Sequence, residues 1–225
     1  STAFPVAVGL GLVLGVVINY IAVPVGNMGL LALGLLFILF AIILSAYAYS
    51  RLPSAKKSSL VGVVISLVSG VFMGLFYRFV AAAMSVNFSM PKHGLVTPYT
   101  AMVLFSVGLF LSSFILNSYM MKKPIVGQPV AFSAYWREGF KSHLVGWVGG
   151  MVWGLGMICS IVAAGKAGFA ISYGLGQGAT MIAAAWGVFV WKEFSKAPKG
   201  TNPIVALMFV FYILGLVSLI VARLV

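Results

Sequence analysis

Seven apolar runs, each of about twenty residues, take up most of this 225-residue chain, and nearly all of its charges fall in the stretches between them. A helix of roughly 20 apolar residues crosses a hydrocarbon core of about 30 Å. Backbone polar groups at that depth must be satisfied inside the protein, which leaves helices or closed barrels. The runs lack the alternation of membrane strands. The expected fold is therefore all-α and polytopic, with seven transmembrane helices. Composition agrees, since 62% of the residues are hydrophobic and 7% charged, against about 25% charged in a soluble domain.

The spans are expected at about Ala3–Val23, Gly29–Ser50, Leu60–Met84, Pro98–Met121, His143–Ala164, Gly168–Trp191 and Pro203–Arg223. The longest polar connection, Lys122 to Ser142, carries Phe132, Tyr135, Trp136 and Phe140 at the spacing of a short amphipathic helix lying along the interface.

A net charge of +12 would suggest nucleic acid in a soluble protein. Here the basic residues sort by side of the membrane, and no nucleic-acid partner is expected. Arg51, Lys56, Lys57, Lys122, Lys123, Arg137, Lys141, Lys192, Lys196 and Lys199 follow spans two, four and six; only Arg78, Lys92, Lys166 and Arg223 fall on the other side. The positive-inside rule makes the first group cytoplasmic, with Ser1 inside and Val225 outside. The lone Cys159 excludes an intrachain disulfide.

Spans six and seven read as a faint copy of spans one and two. Phe4 stands five residues before Gly9-Leu10-Gly11, as Phe169 does before Gly174-Leu175-Gly176, and both pairs end on Arg-Leu (Arg51-Leu52, Arg223-Leu224). Copies five helices apart must cross the membrane in opposite directions, which is the inverted-repeat plan of many secondary transporters. With a five-helix unit, residues 60–225 form one complete repeat and residues 1–52 the last two helices of another. Three further helices are then expected before Ser1, making the chain the carboxy-terminal part of a ten-helix protein.

The sixth span carries the densest set of candidate groups. Gln177, threaded among Gly174, Gly176 and Gly178, has an amide that both donates and accepts toward a flat polar solute; the bland alternative is an interhelical bond worth about 0.6 kcal/mol. Tyr173, four residues earlier on the same face, could stack on a planar ring or simply pack between helices. Asn19 and Asn117 stand near the ends of spans one and four, where amides also cap or join helices. Trp153 beside Gly154 is set to reach a cavity. Arg78 is the one strongly charged residue within a span, either a clamp for an anion or carbonyl or a side chain extending to the headgroups. These six are the substrate-binding candidates. Glycines at four-residue spacing mark faces for close helix packing: Gly11 and Gly15, Gly70 and Gly74, Gly146 with Gly150 and Gly154, and Gly174 with Gly178.

No metal or cofactor site is expected, because neither His93 nor His143 has a second ligand at metal spacing. The two acids, Glu138 and Glu193, fall at the cytoplasmic boundary, so these spans hold no buried carboxylate for a coupling proton. A membrane-embedded enzyme would need paired carboxylates, a His cluster or an activated Ser or Cys, and the chain is not read as an enzyme. A seven-helix receptor fits the span count, but the last span has no Lys for a retinal Schiff base, and the repeat argues against it.

The run AGFAISYGLGQGATMIAAAWGVFVWKEF, followed by APKGTN, resembles the closing signature of the ureide permease family, within the drug/metabolite transporter superfamily. GLVTPYTAMVLFSVGLFLSSFILN and HLVGWVGGMVWGLGMICSIVAAG resemble its preceding helices, and VGLGLVLGVVINY its fourth. The short loop RLPSAKKSS stands where plant members carry a large charged one. The resemblance implies a ten-helix inverted-repeat permease of the cell membrane, working by alternating access on allantoin, uracil-like nucleobases or related small polar metabolites. Protons are the implied coupling ion, and a homodimer is compatible with it. A sugar or other drug/metabolite transporter of the same superfamily is the alternative.

Overall fold

The computed structural model describes residues 3–53 (side chains from Ala7 on), 60–85, 87–125 and 127–225. Lys56 and Lys57 of the first basic loop, and the side chain of Phe4, lie outside what is described. Among the described residues the chain is helical, apart from one isolated β-bridge between Met84 and Val96. The helices are α1 (Ala3–Ala22), α2 (Met28–Ser50), α3 (Leu60–Ala83), α4 (Pro98–Lys122), α5 (Phe132–Arg137), α6 (Phe140–Ala167), α7 (Phe169–Gly176), α8 (Gly178–Ala185) and α9 (Thr201–Leu224).

Of the seven expected spans, α2, α3, α4, α6 and α9 are single helices long and apolar enough to cross a membrane; the apolar stretch Ala7–Ala22 of α1 is shorter than these. The sixth departs from expectation. It is not one rod but α7, a break at Gln177, α8, and a π-helical turn over Trp186–Val190. The expected interfacial segment forms the six-residue α5.

Helix starts follow from local chemistry. The Asn27 side chain accepts the Leu30 N–H at 3.1 Å to cap α2, and Thr97 accepts that of Thr100 to cap α4, with Pro98 in the first turn. Gly26 (φ 88°) and Gly200 (φ 85°) turn the chain into α2 and α9 through a backbone region that side-chain-bearing residues avoid.

The chain divides into two compact units. The first, residues 1–82 and 163–225, has a core including Leu12, Val16, Ile38, Ile171, Met208 and Leu219. Within it α2 and α9 run antiparallel along their full length. The Asn27 N–H donates to the Ala222 carbonyl (2.7 Å) at one end, Phe37 and Phe40 meet Phe211 midway, and Arg51 donates to the Lys199 carbonyl (3.0 Å) at the other. α1 and α7 are also antiparallel, Gly168 lying against Val25 and Tyr173 against Gly15.

α1 and α3 run parallel through the first two glycine pairs. A methyl group on Gly70 would meet the Ala7 carbonyl at 2.8 Å, and one on Gly74 would meet Leu14 at 2.6 Å and the Gly15 nitrogen at 3.1 Å. Gly174 and Gly178 pack likewise against Leu219 and Leu216 of α9. These approaches are closest at Gly15, Gly70, Gly74 and Gly174, where a Cβ would fall under 3.0 Å from a neighbour.

The second unit, residues 83–162, holds α4, α5 and most of α6. The connection into α4 is folded by Ser85 and Val96, whose N–H groups donate to Val96 and Ala83 carbonyls, and by Asn87, whose side chain accepts the Ser89 and Met90 N–H groups. The third glycine ladder differs from the other pairs. Methyl groups on Gly146, Gly150 or Gly154 would meet nothing within 4 Å among the described residues.

Candidate functional site

The break between α7 and α8 is the most distinctive local feature of the first unit. Three glycines within five residues weaken the helix, and the Thr180 hydroxyl competes for a main-chain carbonyl. Both effects converge on Gln177. Its N–H donates to the Gly174 carbonyl at 3.1 Å, a tighter turn than α-helix, and its own carbonyl accepts the Thr180 N–H (3.0 Å) and hydroxyl (2.6 Å). Tyr212 from α9 brings its phenol to the Thr180 hydroxyl. Both main-chain groups of Gln177 are therefore hydrogen-bonded. The Gln177 side chain is buried, and no hydrogen bond to its amide is present among the described residues.

Asn19 is the second buried amide. It is wholly inaccessible, and its Nδ2 donates back to the Gly15 carbonyl at 2.8 Å. Its Oδ1 has no partner. An acceptor left unpaired in the interior costs about 1–3 kcal/mol, so this oxygen is a standing demand for a donor. It lies one turn from Gly15, on the face of α1 that α7 covers.

Of the two readings of Tyr173, stacking on a planar ring or packing between helices, its contacts are those of the second. Its ring lies against Gly15 and 5.2 Å from that of Tyr77, and its hydroxyl is 3.0 Å from both the Gly11 and Met73 carbonyls. Ring and hydroxyl are thus spent joining α7 to α1 and α3. Arg78 is half-buried on α3, without an ion pair among the described residues.

The remaining two candidates belong to the other unit. Asn117 lines a cavity of about 900 Å³, and Trp153 is half-exposed with its ring 6.2 Å from Phe105. The six candidates therefore divide four and two between the units, and only Asn19, Tyr173 and Gln177 lie on the packed helices α1 and α7–α8.

Sequence reasoning missed Tyr77, Thr180 and Tyr212, all drawn into the α1–α3–α7–α9 packing. Thr180 was findable, since a threonine three residues beyond a glycine-flanked site is a known competitor for backbone carbonyls. It also missed the partner of Glu193. That carboxylate does not pair with adjacent Lys192 but accepts the Tyr49 hydroxyl at 2.6 Å, while the Tyr49 ring packs on Phe194. Lys192, at φ 52°, provides the left-handed turn that aims Glu193 back at α2. Among the described residues, no three His, Cys, Asp or Glu side chains gather to hold a metal ion.

Comparison with known proteins gives a consistent set of matches. The family model described as Ureide permease matches residues 50–222. The chain is similar to three Arabidopsis thaliana proteins: Ureide permease 1 (26% identical over 172 residues, 72% of this chain and 42% of that protein), Ureide permease 4 (27% over 161 residues, 70% and 39%) and Ureide permease 2 (25% over 166 residues, 70% and 40%). The chain thus spans about two fifths of the length of these relatives. No solved structure matches.

Proposed function

Because the chain belongs to the ureide permease family, a family of multi-pass membrane proteins, we propose that it acts as a secondary transporter moving a small polar metabolite, ureide or nucleobase-like, by alternating access. The observation that carries this reading is the interrupted helix at Gln177. Discontinuous helices at membrane depth are where many secondary transporters bind their solute. A ureide or pyrimidine presents alternating N–H and C=O groups in one plane, and a primary amide answers both. Gln177 offers such an amide, buried and with no hydrogen bond to it among the described residues, and Asn19 Oδ1 offers a second acceptor.

The inverted-repeat reading, with residues 1–52 and 60–225 as parts of two opposed units, has its own support. Each presumed counterpart pair, α1 with α7 and α2 with α9, runs antiparallel. The helices α2 and α9 each follow a glycine of positive φ. The two Arg-Leu ends also act alike: Arg51 donates to the Lys199 carbonyl and Arg223 to the Lys166 carbonyl, at 3.0 and 2.6 Å. In this scheme Gln177 and Asn19 contact substrate, Tyr173 positions α7, and proton coupling and homodimer formation are further properties to be measured.

The test is uptake of labelled allantoin, uracil and hexose by cells expressing the full-length protein, with and without a proton gradient. Uptake of allantoin or uracil above vector controls is expected, and uptake of hexose alone would overturn the assignment. Gln177→Ala should lower uptake by about tenfold or more, as when a buried hydrogen-bonding partner is lost from a polar solute, with surface expression unchanged.

A further inference from the structure

The amphipathic connection between α4 and α6 takes no part in that scheme, yet it encloses the cavity that Asn117 lines. We propose that this cavity binds an anionic phospholipid. Its walls are mostly apolar and aromatic: Phe110 and Phe114 from α4, Phe132, Tyr135 and Trp136 from α5, and Trp147 from α6. The connection is held over it by the Val130 N–H, which donates to the Met121 carbonyl at 2.9 Å, and by edge contacts of Trp136 with Phe132 and Tyr135. At about 900 Å³ it is at the upper end of the ~300–1,000 Å³ typical of ligand sites.

Charge complementarity selects the occupant. Lys122 and Lys123 stand between the lining residues Met121 and Pro124, Arg137 follows Trp136, and Lys141 opens α6; all four are exposed. Glu138 is the one acid in this stretch, and its carboxylate accepts from Ser142. A hollow that is greasy inside and cationic at its rim fits a lipid with acyl chains within and a phosphate outside. The same end of α4 is the one that the Lys and Arg distribution assigns to the cytoplasm, where anionic lipids concentrate.

A polar solute fits less well. The Ser113 hydroxyl is already spent on the Leu109 carbonyl at 2.7 Å, which leaves the Asn117 and Gln128 amides, the Tyr135 hydroxyl and the indole N–H groups of Trp136 and Trp147 as the polar groups of a largely apolar lining. Donors scattered among aromatic rings suit the ester carbonyls of a glycerolipid better than a molecule polar along its whole edge.

The experiment places the full-length protein in phosphatidylcholine nanodiscs containing a small fraction of brominated phosphatidylglycerol or brominated phosphatidylcholine, and reads tryptophan quenching. The Trp136→Phe/Trp147→Phe variant isolates the contribution of this cavity. Brominated phosphatidylglycerol should quench that contribution more strongly than brominated phosphatidylcholine. Lys122→Gln/Lys123→Gln/Arg137→Gln should weaken the preference by about fivefold per charge removed. The same three-charge loss at Lys192, Lys196 and Lys199 should leave it intact. These side chains are exposed, and an unchanged thermal transition of each variant verifies the fold. Equal quenching by the two lipids, indifference to the first triple substitution, or displacement of the brominated lipid by allantoin or uracil would each overturn the proposal, the last by making the cavity a solute chamber.

Discussion

Gly70 and Gly74 on α3 lie so close to α1 that a methyl group on Gly70 would sit 2.8 Å from the Ala7 carbonyl and one on Gly74 2.6 Å from Leu14, whereas methyl groups on Gly146, Gly150 and Gly154 of α6 would meet no atom of the described residues within 4 Å. The four-residue spacing is identical in the two regions. It places small residues in a line on one helix face and so permits close approach, but permission is not contact. In the first region a third element exploits the seam: Tyr173 lays its ring on Gly15 and directs its hydroxyl at the Gly11 and Met73 carbonyls.

The comparison can be broken by substitution. Gly15→Ala should have the largest effect, because the new methyl group would overlap the buried Tyr173 ring. A loss of about 1–3 kcal/mol is expected for such overpacking, read as a lower thermal transition of the purified protein. Tyr173→Phe should cost less, on the order of 0.6 kcal/mol, the average for an interhelical hydrogen bond in membrane proteins. If the phenylalanine variant is instead inactive in uptake at full stability, Tyr173 contacts substrate after all. Gly150→Ala should be smallest and of opposite sign, a gain of up to about 0.5–1 kcal/mol from improved helix propensity. A clear loss at Gly150, comparable to that at Gly15, would show that something covers α6 in the membrane.

Much of the fold was legible because hydrophobicity and spacing act locally. Runs of apolar residues predicted α1, α2, α3, α4, α6 and α9 to within a few residues, while the sixth span proved to be broken. The amphipathic aromatics of α5 were visible for the same reason. The break at Gln177 was only half legible: Gly174, Gly176 and Gly178 signal weakness, but the bond from Thr180 that completes the turn depends on backbone geometry that glycine spacing does not encode. The candidate site was read less well. Tyr173 and Gln177 share a face on an ideal helix, yet the turn at Gln177 ends that periodicity, and the two side chains meet different fates.

By itself, the sequence determined that this is a helical membrane protein of the ureide permease family, because bilayer crossing and family signature are both properties of contiguous residues. Tertiary structure alone decided which glycine faces are covered, that Tyr173 is consumed in packing, that Asn19 keeps an unpaired oxygen, and that Glu193 reaches Tyr49 rather than its neighbour Lys192. Each of these depends on which distant segment comes to lie alongside, and hence on distances that no local pattern encodes.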